Sequence, residues 1–365
     1  MAPTQKIYTA LGLMSGTSLD GIDVAWLQTD GHHRVITGPA ETFAYAPGFI
    51  NTLRKTLGQK NPHTPAMKKI ERQMTWLHAK AVKKFCLKNN ILLQNIDVIG
   101  FHGQTIFHAP QHFITLQIGD GALLARETQC RVVNQFRGDD VKAGGHGAPL
   151  VPVFHAALAH PLPKPLAVVN VGGVSNITWL AHENTLAACD CGPGNALIND
   201  WLHSHNAGAF DDKGTFAARG SIDWAHVHRF LADDFFARPA PKSLDRDHFK
   251  TYMPHHLDLA DGAATLTAMT AAAIARTLQH FGRKPQKLLV SGGGRHNTTL
   301  MRWLASLLHM PVMSVDHVGW NGDALEAQAF AYLAVRRLLN LPISFPSTTG
   351  VQKPMCGGLV HTFNL

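Results

Sequence analysis

The chain has 365 residues, 45% hydrophobic and 16% charged, enough apolar material for two ordinary domains and too much for a disordered chain. Its formal charge is +8 with 23 histidines counted neutral, which brings acidic ligands into view: nucleic acid, an anionic membrane or a phosphorylated metabolite. Five cysteines and 32 glycines without a fixed period exclude a disulfide scaffold and a collagen-like chain, and the composition also excludes a coiled coil.

Residues 7–13 are predicted to form a strand, 16–21 a turn, and Ile22 to Leu27 a second strand, together a hairpin. The apolar stretch at 7–14 is too short for a secretory signal, and no segment approaches the ~20 apolar residues of a membrane span. With Cys86, Cys130 and Cys356 scattered, reduced thiols in a cytoplasm are expected. Between 51 and 90, Ile70, Met74, Leu77, Ala81 and Phe85 recur at helical spacing with lysines outward. Residues 96–100 read as a strand ending in the polar turn Phe101-His102-Gly103-Gln104-Thr105. Leu166 to Val171 repeats that scheme and ends in Gly172-Gly173-Val174-Ser175-Asn176. Residues 185–190 lead into Gly192-Pro193-Gly194-Asn195, after which Leu197, Ile198, Trp201 and Leu202 are helically spaced. A long alanine-rich helix is predicted over 263–281, a strand over 287–290 running into Ser291-Gly292-Gly293-Gly294, and a last helix over 324–339. Strands alternating with helices argue for an α/β fold, and the two hairpins suggest one plan used twice.

Glycine turns after strands suit phosphate, because a backbone without Cβ lets several amides approach one anion. The P-loop pattern, the Gly-x-Gly-x-x-Gly dinucleotide pattern and the Gly-x-Ser-x-Gly elbow are all missing. What remains is Gly16-Thr17-Ser18-Leu19-Asp20-Gly21-Ile22-Asp23, with hydroxyls and amides for phosphate oxygens and carboxylates for the hydration shell of Mg²⁺, held through water by Asp20 or Asp23. The competing use is turn geometry alone. Asp190, at a strand end before Gly-Pro-Gly-Asn, can act as a general base or can shape its turn by bonding backbone amides. The 291–297 run can receive a nucleobase or ribose, or can enter a helix capped by Asn297. Cys189-Asp190-Cys191 lacks a second ligand pair for a metal and reads as two small buried residues beside a turn.

Taken in order, Met14-Ser15-Gly16-Thr17-Ser18-Leu19-Asp20-Gly21, Phe101-His102-Gly103-Gln104-Thr105, Leu116-Gln117-Ile118-Gly119-Asp120, Gly144-Gly145-His146-Gly147-Ala148-Pro149, Asn170-Val171-Gly172-Gly173 and Asp190-Cys191-Gly192-Pro193-Gly194-Asn195 closely resemble the anhydro-N-acetylmuramic acid kinase family, over about residues 8–360. The resemblance implies a two-domain α/β fold of the actin/hexokinase (ribonuclease H-like) kind with a nucleotide cleft between the domains, drawn here as 1–135 plus 335–365 and 136–334. It implies an ATP-dependent kinase in cell-wall recycling that opens the 1,6-anhydro ring of 1,6-anhydro-N-acetylmuramic acid with water and phosphorylates O6. By the same resemblance Asp190 is the catalytic base and Gly16 to Asp23 holds the ATP phosphates. Gly172 and Gly173 fall on the nucleotide side, Gly292, Gly293 and Gly294 form the adenosine turn, and His102, Gln104, Gln117, Asp120, Arg137 and Glu326 line the sugar. It carries ATP and Mg²⁺ as cofactors and a homodimer as the assembly.

The chain departs from the family at three places. Gln135 stands where Asp precedes Phe-Arg, Leu244-Asp245 where Thr-Gly follows Lys-Ser, and Cys191 where threonine follows the aspartate. Levoglucosan, which lacks the acetamido and lactyl groups, is the alternative substrate, and a nucleotide-dependent binding protein of the actin/Hsp70 class the alternative without sugar chemistry. Lysine and arginine are dispersed, so neither a nucleic-acid nor a membrane partner is expected.

Overall fold

The computed structural model describes residues 6–16, 19, 21–181 and 185–363. Thr17, Ser18 and Asp20 of the expected phosphate loop lie outside the described residues. The chain divides into two compact units, Met1–His160 with Ala324–Leu365, and Pro161–Asp323.

Strands of the first unit are β1 (Tyr8–Ser15), β2 (Gly21–Thr29), β3 (Val35–Ala44), β4 (Val98–Ala109), β5 (Ile114–Ile118) and β6 (Val132–Asn134). The second holds β7 (Leu166–Val171), β8 (Val174–Leu180), β9 (Leu186–Pro193), β10 (Leu288–Ser291) and β11 (Val312–Ser314); β12 (Leu359–His361) returns to the first. The first sheet runs β12-β6-β4-β1-β2-β3, with β5 beside β4. In it β1 is antiparallel to β2 and parallel to β4, which is parallel to β6. The second runs β11-β10-β7-β8-β9, with β7 antiparallel to β8 and parallel to β10. Counted from its own first strand, the second unit has the order 3-2-1-4-5 with only the second strand reversed; the first has the same five-strand core, β3-β2-β1-β4-β6, to which β5 and β12 add as antiparallel strands. This is the ribonuclease H-like plan, used twice, as the paired hairpins led one to expect.

Apolar periodicity explains the layers. Helix Pro65–Lys88 sets Met74, Val82 and Phe85 against Leu11, Leu13, Val24 and Ile99 of the first sheet. Helix Leu259–Leu278 is buried around its whole circumference from Gly262 to Ile274, a stretch of alanine, threonine and larger apolar residues. Ala271 and Ile274 pack with Val169, Ile177 and Val290, while Leu266 and Met269 join Trp201, Phe230, Phe236 and Phe249 in a second cluster. Each large side chain so buried stabilises the unit by about 1.5–3 kcal/mol. No helix among the described residues is long and apolar enough to cross a membrane.

Helix Leu325–Leu338 lies directly on β1 and β4. Gly12 and Gly100 permit this, because a Cβ at either would run into the carbonyl oxygen of Ala327 or Phe330. That contact also places residues 324–334 in the first unit, instead of the second as the limit at 335 had them. Residues 136–160 group there too: Asp140 accepts from Gly147 N–H and Thr349 Oγ1, both at 2.6 Å, tying the segment to the chain's last turns.

Candidate active site

In a sheet of parallel strands, ligand-binding residues gather beyond the carboxyl ends. In the first unit these are the ends of β1, β4 and β6. Pairing between β1 and β4 shifts by one residue, from Leu13–Phe101 to Ser15–Gln104, so His102 and Gly103 share one position opposite Met14. Gly103 takes φ +72° there, which a glycine does without strain.

The bulge turns His102 toward Arg137. Arg137 donates to His102 Nε2 from Nε at 3.2 Å and Nη2 at 3.0 Å, and from Nη1 to the Gly147 carbonyl at 2.9 Å. Nε2 must therefore be the lone-pair nitrogen, while Nδ1–H donates to the Gly103 carbonyl at 2.8 Å. Burial, then the Arg137 charge, pushes the His102 pKa down to about 3, so this histidine is neutral at physiological pH and serves as a fixed acceptor. Glu326, in the first turn of helix Leu325–Leu338, is open to solvent yet ringed by enough protein for desolvation to raise its pKa; Arg137 opposes that rise and Asp23 adds to it. Asp23, His102, Arg137 and Glu326 thus form one electrostatic group within this unit.

The other expected residues divide. Gln104 is buried, and its Oε1 accepts from Ser15 Oγ at 2.8 Å, with Ser15 in turn 3.0 Å from the Tyr45 hydroxyl. Gln117 donates from Nε2 to Thr115 Oγ1 at 2.7 Å, while its buried Oε1 has no partner among the described residues. Asp120 is occupied as a helix cap: its Oδ1 accepts from Leu123 N–H at 2.9 Å at the start of helix Gly121–Thr128. Gln135, at φ +57°, donates to the Gln117 carbonyl at 3.4 Å. On the hairpin turn, Leu19 takes φ +60° and donates its N–H to the Gly16 carbonyl at 3.1 Å; Asp23, two residues into β2, accepts from Thr42 Oγ1 at 2.6 Å.

The second unit repeats the device. Pairing of β8 with β9 passes from Ser175–Gly192 to Asn176–Asp190, leaving Cys191 as the extra residue, with Gly192 at φ +149°. Asp190 therefore sits immediately before a bulge at the carboxyl end of β9. Leu244 N–H donates to its Oδ2 at 2.8 Å, and Asp190 N–H donates to the Lys242 carbonyl at 2.9 Å. Part of the side chain stays accessible, but desolvation by the surrounding protein dominates and lifts its pKa to about 7, against the lowering effects of the Leu244 amide and the Lys242 ammonium. The Lys242 side chain is buried, with Nζ donating to the Phe235 carbonyl at 3.0 Å and lying 4.4 Å from the ring centroid of Phe235. Both flanking thiols are protonated, because burial pushes Cys189 up to about 12 and Cys191 well above its usual value. That removes the thiolate a metal would need.

Gly172 and Gly173 face the next turn: their carbonyls accept from Asn195 N–H at 2.7 Å and Gly194 N–H at 2.9 Å. Gly292 takes φ +71°, pressed against Asn170 and Val171, and Gly293–His296 forms one short 3₁₀ turn. Arg295 holds this turn, donating to the Gly292 carbonyl at 3.0 Å and pairing with Asp316 at 3.1 Å and Asp323 at 2.7 Å. Asn297 caps helix Thr298–Leu308 by accepting from Leu300 N–H at 2.9 Å, so the capped entry is present. Lys242, Asp140 and Arg295 were not singled out as functional from sequence. Their surroundings, Gly138-Asp139-Asp140-Val141-Lys142, Pro241-Lys242-Ser243 and Gly294-Arg295-His296, are polar or turn-like and offer no signal that sets them apart.

The family model for anhydro-N-acetylmuramic acid kinase matches residues 8–362. The chain belongs to that family. It is 46% identical over 361 residues to the anhydro-N-acetylmuramic acid kinase of Zymomonas mobilis, covering 96% of this chain and 99% of that one. Against the enzyme of the same name from Paramagnetospirillum magneticum it is 49% identical over 355 residues, 96% of this chain and 99% of the other. Family membership and the twofold sheet plan agree with each other, and they bring the bulged aspartate of β9 and the bulged histidine of β4 into one enzyme class.

Proposed function

We propose that the protein is an ATP-dependent kinase that opens the 1,6-anhydro bridge of 1,6-anhydro-N-acetylmuramic acid with water and transfers the γ-phosphoryl to O6, giving N-acetylmuramic acid 6-phosphate and ADP. The observation that carries the chemistry is Asp190, a carboxylate at a strand end with its pKa raised to about 7. Such a group is basic enough to take a proton and is still substantially ionised at neutral pH.

Asp190 takes a proton from water as the water oxygen bonds the anomeric carbon. The bond from that carbon to O6 breaks, its electron pair goes to O6, and O6 forms the new bond to the γ-phosphorus as the bond to ADP breaks. The Leu244 amide holds the carboxylate oriented, and both it and the Lys242 ammonium favour the charged form. On the sugar side, Gln117 Oε1, unpartnered among the described residues, is an acceptor for a hydroxyl or amide hydrogen; neutral His102 holds Arg137 in place through its Nε2 lone pair, and Arg137 and Glu326 supply charges of both signs. Asp23, with the Thr42 hydroxyl beside it and Glu326 near enough to feel its charge, offers oxygen ligands of the kind Mg²⁺ takes, and the ion would offset charge on the phosphates when bound. The backbone of Gly16 to Gly21 and the glycines at 172–173 and 292–294 are assigned to the nucleotide. A cytoplasmic setting accords with five free thiols, and the homodimer is carried from the family resemblance.

A panel of anhydro sugars with ATP and Mg²⁺, read by coupled ADP production, tests this. ADP release should depend on anhydro-N-acetylmuramic acid. Preference for levoglucosan would overturn the substrate, and ATP use without any sugar would overturn the kinase reading.

A further inference from the structure

The histidines are the part of the composition that the kinase reading leaves unused. Three metal-ligating side chains of the second unit, none of them assigned above, converge. Asp223, His226 and His256 each offer a ligand atom, and these atoms lie within 4.8 Å of one another. We infer that Asp223, His226 and His256 form a binding site for a divalent transition metal of the zinc, cobalt and nickel class.

The positions follow from ordinary local structure. Asp223 is the N-cap of helix Trp224–Leu231, and its Oδ1 accepts the His226 N–H at 2.9 Å, which fixes the carboxylate. Its Oδ2 is left to face His256 Nε2 at 3.1 Å. His226 is buried, and its Nε2 lies 2.8 Å from the Tyr252 carbonyl. A carbonyl only accepts, so Nε2 carries the hydrogen and Nδ1 holds the lone pair. Metal-bound histidines are commonly oriented this way, with the second ring nitrogen donating to a backbone carbonyl.

The Nδ1 lone pair now receives Arg229 Nη2 at 2.8 Å. Arg229 is exposed, so its long side chain can yield that place to a metal and return to solvent. The imidazoles of His226 and His256 lie 5.6 Å apart between centroids, inclined at 33°. Bonds of about 2.1 Å at a tetrahedral ion put neighbouring ligand atoms about 3.4 Å apart. A cluster already within 4.8 Å needs side-chain rotations of only about an ångström to reach that size, the exposed His256 being freest to turn, with water in the remaining position.

The donor set decides the ion. Two imidazoles and one carboxylate suit zinc, nickel or cobalt, whereas Mg²⁺ and Ca²⁺ prefer all-oxygen shells. The site would link the 224–231 helix to the segment after Tyr252. Phe230 of that helix already packs on Phe249 and Tyr252, just ahead of the segment, so an ion bound to the folded arrangement stabilises the second unit.

Chelator-treated full-length protein, titrated with Zn²⁺ or Co²⁺ alone, tests the inference. Calorimetry should give one ion per chain, Co²⁺ should acquire the visible absorption of a low-coordinate site, and Tm should rise by a few degrees at about 100-fold excess over Kd. His256→Ala and the cap-preserving Asp223→Asn should each weaken binding by more than the roughly 10–100-fold typical of a residue that only supports a ligand. His255→Ala, one residue away, should bind as the parent does. The inference is overturned if the parent takes up no Zn²⁺, if Mg²⁺ gives the same response, or if either ligand variant binds Zn²⁺ with parental affinity. Because the parent's sugar-dependent ADP release is measured separately, loss of the metal site leaves the kinase reading standing.

Discussion

Replacing Asp190 by asparagine should remove turnover and stabilise the fold, and the two effects have one cause. The carboxyl has a pKa of about 7 in the folded protein, raised chiefly by desolvation, against about 3.9 in an unfolded chain. The folded state therefore binds this proton more tightly. Its stabilising contribution is complete below about pH 4 and is lost as pH rises toward 7. At about 1.36 kcal/mol per unit, the ionised carboxylate costs on the order of 1 kcal/mol at pH 5 and a few kcal/mol at pH 8. Asparagine is neutral throughout and keeps an oxygen for the Leu244 N–H, so the variant escapes the cost while retaining the bond. Urea unfolding of parent and variant should show a gain that grows from about 1 kcal/mol at pH 5 to a few kcal/mol at pH 8. Turnover should fall by about 10²–10⁴, the usual contribution of a positioned base. In the parent, kcat/KM should climb about tenfold between pH 6 and 8 as the carboxyl ionises. A stability gain independent of pH would show that the carboxyl is not raised. Turnover near the parent's would show that Asp190 is not the base.

Two further outcomes follow from neighbouring contacts. Lys242→Met removes a charge that holds the Asp190 pKa down, so the acidic limb of the kcat/KM profile should move to higher pH; an unmoved limb would separate Lys242 from the reaction. Gly100→Ala drives a Cβ into the Phe330 carbonyl and should cost about 3 kcal/mol or more in thermal unfolding, whereas Gly48→Ala, with open space around it, should be near neutral; equal effects would refute the close approach of helix Leu325–Leu338 to β4.

Strands that end in polar glycine turns were legible because the change from apolar run to turn is abrupt, as at Val171-Gly172 and Val290-Ser291. The helix expected over 324–339 is found as Leu325–Leu338, and its apolar period reflects a face laid on a sheet. β3 escaped notice because Val35–Ala44 is exposed at an edge and carries glycine and proline, so packing does not write a pattern into it. β6, β11 and β12 have three residues each, too few for any period to register. Asp120 shows the limit on the site itself. An aspartate after a strand reads alike whether it faces a ligand or caps the next helix, and Asp120 caps Gly121–Thr128. Bulges are equally silent in a single sequence, since register belongs to two strands.

The bulges explain why glycine accumulates around the chemistry. His102 is followed by Gly103 at φ +72°, and Asp190 is followed, one residue later, by Gly192 at φ +149°. In each unit an extra residue, near the carboxyl end of β9 or where β4 passes the end of β1, re-aims a side chain assigned to the proposed reaction, and the backbone then needs a left-handed or near-mirror conformation to rejoin its ladder. Glycine meets that need without strain, whereas another residue would transfer the strain to the functional side chain. Gly172 and Gly173 spend their carbonyls on Gly194 and Asn195, so what that turn keeps for an anion is its amides. The glycine excess is therefore not general looseness. It marks the places where one sheet plan, used twice, was bent to present a neutral histidine in one unit and a basic carboxylate in the other.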